Sequence, residues 1–255
     1  MMMKTLTTFL AAFAIAPTLF AAPAPITGIV GAMDVEIEAL LPKITDHRVV
    51  TIANHQFHQG QLADQNVIVT KSGVGKVNAA LTTTLLIQHF GVDQLIFTGI
   101  AGASDPRVDP LDVVISTKLV QHDVDLTAFD RPKGLLPEQA DRFFFADEKL
   151  QTRAYDAAVT VLGQDQVFKG IIASGDQFIA DKQVVNQIHQ EFSAMAVEME
   201  GAALGQVAQA FDVPYVVIRT ISDKADGSAE LIYEDLKKAT AHNAANITFQ
   251  MLSAR

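Results

Sequence analysis

QLIFTGIAGA, residues 94–103, is an apolar run that closes in glycine and alanine. It reads as a buried strand ending in a tight glycine turn, the element around which an α/β sheet is built. ITGIVGAM (26–33) repeats the pattern, and EIEALLPKI after it reads as a short helix ended near Pro42. Residues 49–73 alternate and break like a set of strands that closes in VIVT. GKVNAALTTTLLIQHF has apolar positions at helical spacing, with Gly91 as its C-cap. Farther along, LDVVISTKLVQHDVDLTAF reads as a strand and a polar loop, and residues 132–145 as loop. LQTRAYDAAVTVLG reads as a helix, VFKGIIASGDQFI as a strand with a loop, and KQVVNQIHQEF as a helix. Residues 200–211 are helical by the same spacing, PYVVIRTISDKA is a strand running into a polar loop, and residues 229–253 form a last amphipathic helix. Strands alternating with helices predict an α/β domain around a largely parallel or mixed sheet, with ligands at the carboxyl ends of the strands.

The 255 residues are 49% hydrophobic and 19% charged, enough for one domain with a full core. The formal net charge of -10 argues against a polyanionic partner such as nucleic acid. With no cysteine, disulfides and thiolate chemistry are excluded. Residues 1–24 carry one early lysine, an apolar segment from Leu6 to Phe20 and then small residues, the pattern of a secretory signal peptide. That segment is short for a bilayer span and contains Pro17. The expected organisation is a leader over 1–24 and a catalytic domain over 25–255, in the periplasm or secreted, with no membrane attachment after cleavage.

The loops at the strand ends hold the chemistry. KSGVGK lacks the spacing and the hydroxyl of a phosphate-binding loop, and GIVGAM lacks the dinucleotide fingerprint. The seven histidines form no metal-binding spacing, so neither metal nor cofactor is expected. The acids are more telling. Glu36 follows the first strand, Glu198 and Glu200 follow the apolar AMAV, and Asp223 follows YVVIRTIS. A buried carboxylate costs several kcal/mol unless it is paired, so acids at buried strand ends need a partner or a task. One carboxylate that activates water and another that acts as an acid need this kind of separation, which leaves hydrolase and lyase open.

GIVGAMDVEIEAL, KSGVGKVNAA, TGIAGA, HDVDLTAF, SGDQFI, AVEMEGAA and VVIRTISDKAD, in this order, cover essentially everything after residue 25. In these motifs the chain resembles the 5'-methylthioadenosine/S-adenosylhomocysteine nucleosidases of the wider purine nucleoside phosphorylase family. The resemblance implies a single domain with a twisted mixed β-sheet flanked by helices, an adenine nucleoside as substrate, and a homodimer. It implies that Glu36 activates the water attacking the ribosyl C1', that Asp223 protonates or hydrogen-bonds purine N7 with help from Ser222, and that Glu200 bonds the ribose hydroxyls. Met199 matches the methionine under the sugar, Phe178 the ring stacked on adenine, and Ile179 the backbone that reads its edge. Met33, Val74 and Tyr233 match the apolar 5'-alkylthio pocket, Gly102 a substrate contact, and Phe129 a residue donated across the dimer. Glu198 is left between supporting the site and a structural hydrogen-bonding role.

Two positions depart from the family. Ile100 stands in TGIAGA where these nucleosidases usually carry serine, and FDRPKGLLPEQ lacks the aromatic residues usual near the partner-supplied part of the pocket. A phosphate-dependent phosphorylase and a periplasmic nucleoside-binding protein with little turnover are the alternatives. Glu36 would repel a phosphate dianion, and binding alone needs no base beside an acid. An exported nucleosidase points to salvage of external nucleosides, with wider tolerance at the 5' position.

Overall fold

A computed structural model describes residues 24–224 and 229–254, and for 229–235 the backbone alone. Residues 1–23, which hold nearly all of the expected leader, lie outside the described residues. Near the centre of the sheet, β5 (Gln94–Ala103) lies parallel to β1 (Ile26–Gly31) and to β10 (Tyr215–Asp223), and antiparallel to β9 (Ala194–Glu198). It is buried along almost its whole length, as its unbroken apolar run requires. β6 (Val113–Gln121) and β8 (Val167–Ser174) complete a ring β5–β10–β6–β8–β9, so the sheet closes on itself at this end. Beyond β1 it stays open through β4 (Gln65–Lys71), β3 (His55–Leu62) and β2 (Thr45–Ile52). These three form antiparallel hairpins whose turns, Ala53-Asn54 and Ala63-Asp64, have positive φ at both central residues, which suits the right-handed twist of the strands.

Helices cover both faces. α2 (Lys76–Gln88) and α5 (Gly201–Ala210) pack on one core with Phe97, Leu119 and Val217. On the other, α1 (Asp34–Ile37), α3 (Glu148–Leu162) and α6 (Ala229–Ser253) pack over Ile29, Ile96 and Ile218. α4 (Lys182–Phe192) closes a third cluster against Val120 and Ala173. Each fully buried side chain of this size contributes about 1.5–3 kcal/mol. Asp147 and Asp181 cap α3 and α4, accepting from the N–H of Leu150 (2.9 Å) and Gln183 (2.7 Å).

Two local expectations are corrected. The segment 132–145 is not all loop: Phe143–Phe145 is a short strand, β7, paired antiparallel with β6. Its strand character comes from that pairing, and three aromatic residues carry no alternation to reveal it. The helix expected over EIEALLPKI is one turn, α1, followed by a separate 3-10 turn at Leu41–Lys43, where Pro42 supplies no N–H.

Candidate active site

A cavity opens where β1, β5, β9 and β10 end, the carboxyl edge that the α/β rule selects. Glu36, Glu198, Glu200 and Asp223 all line it, and each is buried. Met33, Val74, Gly102, Phe178, Met199 and Ser222 line it as well. Ile179 borders a smaller adjoining cavity beside Phe178 and Met199. Phe129 does not reach the cavity. It sits in a 3-10 turn, Thr127–Phe129, with 75% of its surface exposed. Tyr233 falls in residues 229–235, so its side chain lies outside the described residues.

Glu36 is the third residue of α1, and its side chain turns back over the start of that helix. Oε2 accepts from the N–H of Ala32 (2.6 Å) and Met33 (3.0 Å), and Oε1 from that of Ile100 (3.0 Å). A glutamate at this position commonly caps the preceding amides. Here the same bonds fix the carboxylate at the cavity wall. Burial pushes its pKa above the ordinary value, against the opposing pull of Arg219 and the three N–H donors. Ile100, the departure in TGIAGA, lies beside it in the cavity wall.

The cation behind the carboxylates is Arg219, in the middle of β10 and fully buried. Its Nη2 pairs with Glu198 Oε2 and lies 3.4 Å from Glu200 Oε2, and its Nη1 lies 3.9 Å from Glu36 Oε1. The guanidinium sits over the Phe97 ring, 4.4 Å from its centroid. Gly99 makes room for it: a Cβ there would fall 2.1 Å from Arg219 Nη1 and 2.6 Å from Glu36 Oε1.

Glu198 is tied into the fold on several sides. Besides Arg219 it accepts from the Ser174 hydroxyl and from the N–H of Glu200 (3.1 Å) and Gly201 (2.8 Å), so it caps the start of α5. Glu200 is held more lightly, by the Gly75 N–H (2.8 Å) and Arg219, and faces the cavity. Burial first, then the neighbouring Glu198, raise its pKa to about 8 despite Arg219 and the Gly75 N–H. At the end of β10, Asp223 Oδ2 accepts from the Ser222 hydroxyl (2.6 Å), which also points to the Ala101 carbonyl oxygen (3.3 Å).

The raised pKa of Glu200 sets a pH dependence. An acid with a folded pKa above its unfolded value stabilises the fold below the unfolded pKa, and that stability is lost as pH rises through the folded one. Between the ordinary value of 4.5 and about 8, the ligand-free protein should lose stability as pH rises, and Glu200→Gln should flatten that slope. Thermal melts of both proteins across this window check it; parallel curves would remove Glu200 as the cause.

The pattern of the phosphorylase superfamily matches residues 26–254. A 5'-methylthioadenosine/S-adenosylhomocysteine nucleosidase of Anoxybacillus flavithermus is 43% identical over 218 residues, 85% of this chain and 93% of that one. This chain belongs to the 5'-methylthioadenosine/S-adenosylhomocysteine nucleosidase family. A solved structure of a Helicobacter pylori nucleosidase mutant with 5'-methylthioadenosine in its active site superposes with a TM-score of 0.85 at 38% identity, covering 89% of this chain and 98% of that one. The family's neighbours include an enzyme of different name, the aminodeoxyfutalosine nucleosidase of Helicobacter pylori, 38% identical over 88% of this chain and 97% of its own length. The fold of the nucleosidases is thus the mixed sheet with flanking helices described above.

Proposed function

We propose that the chain hydrolyses the N-glycosidic bond of 5'-methylthioadenosine and S-adenosylhomocysteine, releasing adenine and the 5'-thioribose. The observation that carries hydrolysis over phosphorolysis is the charge of the cavity. Among the described residues it is lined by four carboxyl side chains and by no lysine or arginine, while Arg219 lies behind them, committed to Glu198 and Glu200. A phosphate dianion needs cationic and N–H donors in contact with it. Water needs only a base, and Glu36, with its pKa pushed up by burial, is suited to take its proton.

Cleavage develops positive charge on the ribose and negative charge on the departing adenine. Glu200 accepts from the ribose hydroxyls, Met199 lies under the sugar, and Asp223 delivers a proton or a hydrogen bond to N7 while Ser222 holds its other oxygen. Phe178 stacks on the base and Ile179 reads its edge. Met33, Val74, Gly102 and Tyr233 complete the walls. The reaction balances with water alone: the C1'–N9 bond breaks as the water oxygen joins C1', adenine takes a proton from Asp223, and the proton that Glu36 takes from water returns to Asp223 through solvent. Adenine release assayed with and without phosphate, the sugar read by mass, tests this. Free methylthioribose in both cases is expected, and a sugar 1-phosphate that forms only with phosphate would remove Glu36 from its role. Running adenosine and aminodeoxyfutalosine beside the two thio-nucleosides measures tolerance at the 5' position, where steep rejection of adenosine would end the idea of a broad salvage enzyme.

The functional unit in this reading is a homodimer. Val74, Val77, Leu81, Phe129, Phe178 and Phe211 are large apolar side chains left exposed on the single chain. Val77 (78% exposed) and Leu81 lie on α2 and Phe211 just after α5, with Val77 and Phe211 lining one groove between these two helices, where a second copy covers them and brings its Phe129 to the pocket. Val77→Asp should yield monomers in sedimentation and lower kcat/KM by about tenfold or more, as burial of an unpaired charge opposes association. A fully active monomer would contradict the shared pocket. The leader over residues 1–24 supports export, testable by cell fractionation. Among the described residues no helix is long and apolar enough to cross a membrane.

A further inference from the structure

Two consecutive amides at the start of α2 are divided between two carboxylates. The Gly75 N–H donates to Glu200 Oε1 (2.8 Å), and the next one, of Lys76, donates to Asp176 Oδ1 (2.8 Å). Gly75 has φ +98, a conformation that glycine adopts freely, and a Cβ there would stand 3.1 Å from Asp176 Oδ1. Asp176 is itself tied down: its N–H donates to Asp123 Oδ2 (3.0 Å). The Lys76 ammonium joins the group, 2.7 Å from Asp123 Oδ1 and 3.0 Å from Gln121 Oε1. The side chains of Lys76 and Asp123 are only 17% and 21% exposed, and the Asp123 carboxyl, raised by burial, is brought below its ordinary value by Lys76 and the Asp176 N–H. Three loops from distant parts of the chain are thereby fastened together beside Glu200, and none of these groups is used by the hydrolysis described above.

We propose that Asp176, held by Asp123 and Lys76, is a positioning residue for sugar recognition. By fixing the Lys76 N–H it aims the neighbouring Gly75 N–H at Glu200 and sets that carboxylate against the ribose hydroxyls. The inference rests on the reading of Glu200 as the acceptor for the ribose hydroxyls, and the test separates the two.

The experiment compares kcat/KM for 5'-methylthioadenosine and for its 2',3'-dideoxy analogue, each variant being referred to the wild type on the same substrate. Asp176→Ala should lose roughly five- to thirtyfold on the ribosyl substrate, the worth of one misdirected charge-assisted hydrogen bond, and less than about twofold on the analogue, which has no hydroxyl to misplace. Asp176→Asn keeps an acceptor oxygen and should recover most of the loss. A merely structural tether would lower both substrates together, so an equal loss, or no loss, overturns the proposal. Should Asp176→Ala not fold, Lys76→Met, which takes the ammonium from Asp123, is judged by the same two substrates. Glu200→Ala is the control on the underlying reading. Selective loss there with none in the Asp176 variants defeats the positioning role alone, whereas equal loss in Glu200→Ala defeats the Glu200 assignment and the proposal with it.

Discussion

Arg219→Met should destabilise the protein by about 3–5 kcal/mol at neutral pH and leave it without measurable turnover. Arginine and methionine fill similar lengths, so packing over Phe97 is largely kept while the charge is removed. What remains is Glu36, Glu198 and Glu200, with side chains 1%, 2% and 5% exposed and no cation among them. Buried carboxylates in that position take up protons. Once Glu36 is neutral it can no longer accept a proton from water, so the chemistry fails even where the fold survives. The pH dependence distinguishes charge from packing. In the variant the Glu36 and Glu200 carboxyls are held above their unfolded values with no cation against them, so their stabilising contribution is present at low pH and lost as pH rises; in the wild type, Arg219 opposes that loss. The stability gap should therefore widen towards alkaline pH, which urea unfolding at about pH 5.5 and 8.5 measures. An equal gap at both would mean that Arg219 contributes through its contact with Phe97 and not through its charge.

This arginine is legible in the sequence. VVIRTIS places one cation inside an apolar strand, and a buried arginine demands several acceptors, so the acids of VEME and the first glutamate of VEIE were its natural partners. The strands with continuous apolar runs, β1, β5 and β10, and the helices with clear spacing were readable because their periodicity is a property of the local chain. Closure of the sheet through the β10–β5 pairing was not, since register between distant strands leaves no local trace. β7 is hidden for the same reason, being defined by its pairing with β6, whereas α1 is a single turn held by local bonds from the Ala32 and Met33 amides to Glu36. Within the site, Glu198 ends β9 and Glu200 stands at the start of α5, yet both reach a common partner, Arg219, and their spacing in the sequence could not tell their tasks apart. The difference lies in the amide donors. Glu198 takes those at the start of α5, while Glu200 takes one from a remote glycine.

Asp223→Asn should bind substrate nearly as well as the wild type and turn it over about 10²–10⁴-fold more slowly, the usual contribution of a general acid. The substitution is nearly isosteric: the side-chain oxygen can still accept from Ser222, and the amide can donate a hydrogen bond to N7 without surrendering a proton. Ground-state recognition is then preserved and the transition state loses its acid, so kcat falls while KM changes little. The assignment can be isolated by changing the leaving group. A 5-thio-riboside of 4-nitrophenol departs as a stable phenolate and needs no proton. On that substrate Asp223→Asn should lose less than about tenfold, while Glu36→Gln, which removes the base that activates water, should lose about 10²-fold or more on both. Equal losses for Asp223→Asn on adenine and phenolate would place Asp223 on the sugar or the water instead of the base. The opposite charges that build up on the two halves of the substrate make the expected pattern asymmetric: a residue acting on the leaving group is sensitive to its basicity, and one acting on the nucleophile is not.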